Sequence, residues 1–317
     1  MLPHLSEIAG DAGYWRVTLP KLSAHNVCNP SLIVEGGDLL VVYKGINYAL
    51  RETGYNGTYG GIPVPFSDSQ NYRAVLSRDL DLLWHGFVED RHVRAHKLAL
   101  NGIQDLRLFE WQGKRFCAGA AITHRPDPDG RSYGKFTRIL IGELVEGTLA
   151  ARWFLPARRG YEKNWMPWVK DGELFMVYAP DPYEILHIRD NHATVSFGPQ
   201  VIPELAGQSG GSCVIPLGDR FLSVVHRKYP GDLHEGADDQ TLLRYTHSIV
   251  IHGRDFEVLA VSPEFTFEGE RVEFCCGVAI DGDSMFFSYG VWDQAAVVVK
   301  TGLAATLGAL GLGAYLS

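Results

Sequence analysis

The sequence of 317 residues predicts an all-β fold, a five-bladed β-propeller, because one pattern occurs in it five times. Each copy has a small or polar head, an apolar run, a turn and a second apolar run. A hairpin of this size cannot bury its own apolar face, so it must pack against its neighbours. Hairpin-centred units spaced about 40–50 residues apart are typical of propeller blades, whose innermost strands surround a central pocket.

The five copies follow one another along the whole chain. Their heads are Asn29-Pro30-Ser31, Gln104-Asp105-Leu106, Lys163-Asn164-Trp165, Gly211-Ser212-Cys213 and Glu273-Phe274-Cys275. Glycine-containing turns separate the two apolar runs at Glu35-Gly36-Gly37-Asp38, Trp111-Gln112-Gly113-Lys114, Lys170-Asp171-Gly172-Glu173, Leu217-Gly218-Asp219 and Asp281-Gly282-Asp283. Such residues favour tight β-hairpins, so each copy predicts the two inner strands of a blade.

Further strands are expected outside the hairpins, at residues 73–77, 137–141, 185–188, 245–251 and 295–299. The stretch 14–19 is expected to close the ring by joining the last blade. The blades then fall at about 25–90, 100–158, 162–203, 209–265 and 270–300 of a single domain, 1–317. The apolar, glycine-rich stretch 301–317 is expected to form a short helical or irregular tail.

Composition excludes some classes of function. The net charge is −8, whereas non-specific nucleic-acid binding requires a basic face. The five cysteines are odd in number, lack CxxC spacing and lie mostly in apolar runs, which is typical of thiols in a reducing cytoplasm. No secretory signal and no membrane span are evident. We therefore expect a cytoplasmic protein without nucleic-acid partners, and its oligomeric state is left open.

The strand heads carry many polar and charged residues. The predicted catalytic residues are the carboxylates Asp105, Glu273 and Glu162, because two or three carboxylates in one pocket can divide the acid and base roles of glycoside cleavage. The predicted substrate-binding residues lie at or near the ends of inner strands and are Asn29, Arg107, Lys163, Asn164, His226, Arg227, Tyr48 and Asp293. Guanidinium and ammonium groups in such a set suit an anionic ligand group such as phosphate.

Each candidate also has a structural interpretation. A carboxylate at a strand head can satisfy backbone groups where the chain turns, and Arg107 can pair with Asp105 or Glu162. Tyr48, with Tyr55 and Tyr59 in the same glycine-rich insertion, can stack on a sugar ring, although most propeller aromatics pack between blades.

Two other patterns were considered as ligand sites. His92 and His96 have the spacing of two metal ligands on a helix but lack a third, so no metal site is predicted. The glycine-rich stretch 207–211 is not followed by a helical pattern, which argues against a phosphate-binding loop. No cofactor is expected, although inorganic phosphate or a sugar-phosphate donor would suit the cationic residues.

The head of the second repeat resembles a known signature. The stretch Asn101-Gly102-Ile103-Gln104-Asp105-Leu106-Arg107 is similar to the G-x-E-D-P-R pattern of glycoside hydrolase family 130, five-bladed propeller glycosidases and phosphorylases that act on β-mannosides. Asn29-Pro30-Ser31 resembles the family's opening Asn-Pro motif, and Val225-His226-Arg227 its later His-Arg pair. The stretches 162–182 and 272–293 resemble a divergent bacterial branch, and the likeness covers roughly residues 25–300.

The resemblance implies a five-bladed propeller with a carbohydrate substrate. It further implies that Asp105 is a sugar ligand and that the anion-binding residues are Arg107, Lys163, His226 and Arg227. The family's proton donor, an Asp after the first inner strands, has no counterpart, because Glu52 is the only acid between Asp38 and Asp68.

The sequence therefore predicts a carbohydrate-active enzyme that cleaves or forms a glycosidic bond in the central pocket, and the resemblance makes hydrolysis or phosphorolysis of a mannoside the expected reaction. Gln104 and Leu106 stand where the family has Glu and Pro, which leaves room for a glycosyltransferase of polysaccharide or glycoconjugate synthesis. A third alternative is a propeller that binds a glycan without catalysis. The sugar, the linkage and the proton donor are left open.

Overall fold

The structure is a computed structural model that describes residues 2–10, 13–51, 54–56, 58–59, 62–63, 68–95, 99, 101–126, 133–158, 162–230 and 243–316. Within these residues the main architectural units are five antiparallel sheets, each forming one blade of a β-propeller. The predicted fold class is therefore confirmed. That the whole chain forms one domain stays a prediction.

The first blade and the segments around it contain the first nine strands. Helix α1 (Leu5–Ala9) precedes strand β1 (Trp15–Thr18). Blade one contains β2 (Asn26–Glu35), β3 (Asp38–Ile46), β8 (Ser69–Leu76) and β9 (Leu82–Phe87). Two small hairpins are inserted between β3 and β8. The first pairs β4 (Ala49–Arg51) with β5 (Gly54–Asn56), and the second pairs β6 (Thr58–Tyr59) with β7 (Ile62–Pro63). A short helix, α2 (Arg91–Arg94), leads to the second blade.

The next two blades are regular four-stranded meanders. Blade two contains β10 (Ile103–Trp111), β11 (Lys114–Pro126), β12 (Tyr133–Val145) and β13 (Thr148–Pro156). Blade three contains β14 (Met166–Lys170), β15 (Glu173–Pro180), β16 (Tyr183–Arg189) and β17 (His192–Gln200). A 3-10 turn at Pro203–Leu205 connects blade three to blade four.

Blades four and five complete the ring. Blade four has an interrupted inner strand, β18 (Gln208–Gly210) and β19 (Ile215–Leu217), followed by β20 (Arg220–Pro230), β21 (Leu243–His252) and β22 (Val258–Val261). Blade five contains β23 (Glu273–Asp281), β24 (Ser284–Val291), β25 (Ala295–Gly302) and, as its outermost strand, β1. Helix α3 (Leu303–Ala309) and a 3-10 turn at Gly313–Leu316 form the expected short tail.

Ring closure by the first strand is observed. β1 pairs with β25 in antiparallel register, with Trp15 opposite Lys300 and Val17 opposite Val298. The strands expected outside the hairpins are β8, β12, β16, β21 and β25, which are the third strands of their blades. The fourth strands of blades one to four were not predicted.

The five predicted hairpins all connect their strands through two residues. The closing pairs are Glu35 with Asp38, Trp111 with Lys114, Lys170 with Glu173, Leu217 with Arg220, and Asp281 with Ser284. In the second and third hairpins both central residues have positive φ, for example 50° at Asp171 and 78° at Gly172. This is the conformation of type I′ turns, whose twist matches the twist of the strands.

The hydrophobic core lies between the blades, where the faces of adjacent sheets meet. Tyr43 and Tyr72 of blade one pack with Val298 of blade five, and Phe116 of blade two packs in one cluster with Met176 of blade three. Burial of these large side chains supplies the main stabilisation of the ring. In the described part of the chain, no helix is long and apolar enough to cross a membrane.

Candidate functional site

The inner strands are irregular at the heads that were predicted from the sequence. β-bulges interrupt the pairing between Cys28 and Ser31, between Gln104 and Arg107, and between Cys275 and Gly277. Left-handed φ values occur at Asn29 (50°), Asp105 (54°) and Asn164 (69°), residue types that tolerate this conformation. A bulge re-aims the side chain that it carries, so these heads can direct polar groups towards the centre.

Asp105 is the centre of a buried polar cluster. Its side chain is only 1% exposed, and its Oδ1 accepts hydrogen bonds from Lys44 Nζ at 2.7 Å and from Asn29 Nδ2 at 2.7 Å. Lys163 Nζ lies 3.5 Å from the other oxygen, Oδ2. Three blades therefore contribute to one cluster, because Asn29 and Lys44 lie in blade one and Lys163 precedes blade three.

The charged residues of this cluster shift one another's pKa values. Burial alone would raise the pKa of Asp105, but the ammonium groups of Lys44 and Lys163 hold it well below its usual value. Burial alone would lower the pKa of Lys44, but the Asp105 carboxylate raises it well above its usual value. Asp105 is therefore ionised throughout the physiological range and is no source of a proton for catalysis.

Sequence reasoning missed Lys44, although a signal was present. It is the one charged residue between Leu39 and Ile46 in the apolar second strand of blade one, and its side chain is 3% exposed. A lone charge in such a run must be paired, because an isolated buried ammonium group costs several kcal/mol. Tyr245 and Lys228, which lie beside the cluster, were missed as well.

Arg107 is buried between blades and fixed by neutral oxygens. Its Nε donates to the carbonyl of Gly211 at 2.7 Å, and its two terminal nitrogens donate to the Asp105 carbonyl at 3.1 Å and to Asn164 Oδ1 at 3.3 Å. Among the described residues, no carboxylate oxygen contacts this guanidinium. Its charge is therefore oriented but not neutralised by a direct ion pair.

His226 lies in the same region and is completely buried. Its ring stacks on Tyr245, with centroids 5.6 Å apart, and meets the edge of Phe274 at 4.8 Å. Neither ring nitrogen has a hydrogen-bond partner in the described structure. Burial and the nearby ammonium group of Lys228 hold the pKa of His226 well below its usual value, so the imidazole is neutral.

Tyr48 and Asp293 meet next to this cluster. The Tyr48 hydroxyl donates to Asp293 Oδ2 at 3.1 Å, which connects blade one with blade five. Burial and the Asp293 carboxylate raise the pKa of Tyr48 well above its usual value. The side chains of Tyr55 and Tyr59, and residue His96, lie outside what the structure describes.

Glu162 lines an open cleft between blades three and four. The Tyr178 hydroxyl donates to its Oε1 at 2.6 Å, and the backbone N–H of Arg158 donates to its Oε2 at 3.0 Å. The cleft has a volume of about 380 Å³ and is lined by Glu162, Lys163, Asn164, Trp165, Tyr178, Ala179, Pro180, Asp181, Gln208, Ser209, Gly210 and Lys228. Its inner end meets the cluster around Asp105, because Lys163 belongs to both.

Glu273 and Arg227 have partners away from the cluster. Both carboxylate oxygens of Glu273 accept backbone hydrogen bonds, from Phe267 at 2.6 Å, from Glu268 at 2.7 Å and from Glu270 at 3.1 Å. Burial raises the pKa of Glu273 to about 7, against the opposing effect of these three N–H groups.

Arg227 pairs with Glu264 at 2.7 Å and bonds the Tyr229 hydroxyl at 2.9 Å. The structural interpretation that the sequence left open therefore describes the contacts of Glu273 and Arg227. The structure brings together eight of the predicted residues, with Glu162 at the border, and their roles stay a prediction: Asn29, Tyr48, Asp105, Arg107, Lys163, Asn164, His226 and Asp293.

A second cavity lies further along the inner strands. It has a volume of about 440 Å³ and is lined mainly by apolar residues such as Val34, Leu108, Val169, Ile215 and Ile280. Glu110 is the one charged residue among the described residues of its lining, so it lacks the paired acidic and basic groups of the head end. In the described ranges, no group of three or more His, Cys, Asp and Glu side chains is arranged to hold a metal ion.

Comparison with known proteins shows a shared fold. No protein-family model matches the chain, and no curated protein matches it by sequence. Among solved structures, a similar one comes from the GH130 family of mannoside phosphorylases, which contains glycoside hydrolases that target β-1,2-mannosidic linkages in Candida mannan. Its TM-score is 0.61 at 12% identity, over 87% of this chain and 84% of that one.

Two further solved structures show the same likeness. The β-1,2-mannobiose phosphorylase of Listeria innocua has a TM-score of 0.56 at 12% identity, over 94% of this chain and 99% of that one. The GDP-Man-dependent mannosyltransferase MPT-1 of Leishmania mexicana has a TM-score of 0.56 at 13% identity, over 91% and 89%. The fold that the sequence resemblance implied is therefore the fold that the structure shares with these proteins.

Proposed function

We propose that this protein is a carbohydrate-active enzyme that makes or breaks a glycosidic bond at the cluster around Asp105 and the adjoining cleft between blades three and four. The observation that carries the proposal is the Asp105 carboxylate, which is buried and ionised between Lys44 and Lys163. Such a pair is weak support for stability, because desolvation offsets most of the attraction. Its position where three blades meet is better explained by ligand binding.

The roles divide between the two carboxylates according to their surroundings. Asp105 stays ionised and accepts hydrogen bonds from sugar hydroxyls at Oδ2, the oxygen that faces Lys163. Glu162 borders the open cleft and is oriented by Tyr178 and the Arg158 backbone, so it acts as the general acid or base. Asp293, held by Tyr48, gives the pocket a third carboxylate.

The cationic side of the pocket suits an anionic co-substrate. Arg107 has no carboxylate contact within the described residues, and Lys163 and Lys228 line the cleft. Guanidinium and ammonium groups bind phosphate oxygens well. Inorganic phosphate as the attacking group and the phosphate released from a sugar-phosphate donor as the leaving group both fit these charges. The mannoside-acting proteins that share the fold make β-mannosides the first substrates to test.

Product analysis tests this proposal. Purified protein is incubated with β-1,2-mannobiose with and without inorganic phosphate, and separately with GDP-mannose and a mannose acceptor. We expect one of these mixtures to give a new sugar or sugar phosphate. Glu162→Gln should lower kcat by about 10²-fold or more if Glu162 transfers the proton.

A matched control separates chemistry from folding. Glu173→Gln makes the same substitution in blade three, at the hairpin away from the head, where Glu173 contacts His187 and Arg189. It should keep the wild-type rate. An unchanged rate in Glu162→Gln would remove Glu162 from the mechanism. Saturable sugar binding without any turnover would instead indicate a non-catalytic glycan-binding propeller. Absence of both turnover and binding would overturn the proposal.

A further inference from the structure

Two buried polar groups in the cleft between blades three and four lack hydrogen-bond partners. Gln208 is 4% exposed, and neither its Nε2 nor its Oε1 has a partner in the described structure. Trp165 is 2% exposed, and its indole N–H is also without a partner. Both residues line the cleft. An unpaired buried amide destabilises the folded protein, so it requires an explanation.

The described structure gives the Gln208 amide no protein partner. Gln208 begins β18, the innermost strand of blade four, and lies opposite Arg227, whose Nη1 is bonded to Glu264 and Tyr229 and whose Nε is also unpaired. The nearby carboxylate of Asp181 accepts from the backbone N–H of Gly207 at 2.7 Å. The amide of Gln208 and the Nε of Arg227 are thus neighbouring polar groups that both lack a partner in the described structure.

We propose that this cleft is a binding site for a second sugar unit and that Gln208 is its specificity-determining residue. The inference rests on the proposed function, and it assigns to the cleft the acceptor or leaving-group sugar adjacent to the unit bound at Asp105. Gln208 presents one acceptor and two donors, which match a pair of neighbouring hydroxyls. Trp165 adds one donor, and Glu162 is placed beside the bond between the two sugars.

The size and composition of the cleft agree with this occupant. A volume of about 380 Å³ lies at the lower end of the range of about 300–1,000 Å³ for small-ligand pockets. The amide atoms of Gln208 and the indole N–H of Trp165 are covered in the free protein, so both side chains must move towards the ligand as it binds. Rotation between staggered conformers is available to glutamine at small cost.

The free energy of unfolding, measured without ligand, distinguishes a binding role of Gln208 from a structural one. Gln208→Met keeps the length of the side chain and removes an unsatisfied amide, so the variant should be at least as stable as the wild type. A glutamine needed for folding would give a less stable variant. Gln200→Met, an exposed position in β17, is the matched control.

Binding of paired sugars tests the inference without requiring turnover. Isothermal titration measures mannose against β-1,2-mannobiose, glucose against cellobiose, and galactose against lactose. We expect the wild type to bind at least one disaccharide more tightly than its monosaccharide. Gln208→Met should lose about tenfold in affinity for that disaccharide and none for the monosaccharide. Trp165→Phe should lose affinity in the same selective way.

Each outcome separates the two proposals. Equal affinity of the wild type for mono- and disaccharides would overturn the second-sugar site but leave the proposed function in place. An equal loss of affinity for the mono- and disaccharide in Gln208→Met would assign Gln208 to the binding of the first sugar unit or to folding. That result would also overturn the second-sugar site. Absence of binding to every sugar in the panel would overturn the second-sugar site, and together with absence of turnover in the product analysis it would overturn the proposed function as well. An unchanged disaccharide affinity in Gln208→Met would remove Gln208 from the site.

Discussion

At the scale of single residues, the most informative feature is the charge arrangement around Asp105. Asn29, Lys44 and Lys163 direct three donors at one carboxylate that is 1% exposed. The pKa of Asp105 is lower in the folded protein than the 3.8 of an ordinary Asp. Near pH 4 the unfolded chain therefore binds more protons than the folded one, so the contribution of Asp105 to stability rises with pH.

Acid titration of stability tests this arrangement. The contribution of Asp105 should be complete above its unfolded pKa of 3.8 and should disappear progressively as pH falls below it. Asp105→Asn, which has no charge to titrate, should therefore show a smaller fall in unfolding free energy between pH 5 and pH 3 than the wild type. Urea unfolding at several pH values measures the two slopes.

An exposed aspartate provides the control for that slope. Asp79→Asn removes a carboxylate that is 83% exposed and paired at the surface with Lys300. Its pH dependence should match that of the wild type, because surface ion pairs contribute little. Parallel curves for Asp105→Asn and the wild type would contradict the buried ion pair.

At the scale of strands and hairpins, the sequence predicts local structure better than side-chain direction. The hairpins and the two inner strands of each blade follow from apolar runs and glycine turns, which are local signals. Outer strands such as β9 and β17 were missed because most of their residues are exposed and carry no clear alternation. Edge strands are specified by their neighbours, which a single segment does not contain.

The same limit explains the site residues. Asn29, Asp105 and Asn164 converge because each lies at a bulge or a left-handed residue in its strand head. Glu273 also begins an inner strand, yet its carboxylate anchors the turn at residues 267–270. A bulge changes which face the following residues occupy, so counting residues from a head does not give direction.

A glycine in blade five supports the head of blade one. A Cβ added to Gly290 in β24 would overlap Asn29 Oδ1 and lie 2.7 Å from the Asn29 backbone nitrogen. Gly290→Ala should therefore displace Asn29 from Asp105, lower the unfolding free energy by about 1–3 kcal/mol and weaken sugar binding. Urea unfolding and the sugar titrations described above measure both effects.

The control is a glycine with open surroundings. Gly308 lies in α3, and a Cβ added there meets no atom within 4 Å. Gly308→Ala should leave binding unchanged and raise stability by about 0.5–1 kcal/mol, because alanine loses less backbone entropy in a helix. Wild-type sugar affinity in Gly290→Ala would show that the position of Asn29 does not affect the site.

At the scale of the whole molecule, the ring depends on a strand from the start of the chain. β1 completes blade five, and Val17 packs against the cluster of buried residues that contains Val298 and Phe286. Val17→Asp would place a carboxylate against this apolar surface. We expect the unfolding free energy to fall by about 2 kcal/mol and the thermal midpoint to fall with it.

Val201→Asp is the matched control, because Val201 is 79% exposed after the last strand of blade three. It should leave the midpoint within the experimental error of the wild type. A midpoint unchanged in Val17→Asp as well would mean that β1 adds little to closure, and differential scanning calorimetry distinguishes the two results.

Pairing of Trp15 with Lys300 also has a consequence for biosynthesis. A ribosome adds about 5–20 residues per second, so β1 is synthesised on the order of tens of seconds before β25, the strand with which it pairs. During that interval its backbone N–H and C=O groups are open to pairing with any other nascent chain. Chaperone demand in the cell should accordingly peak before the final blade is translated.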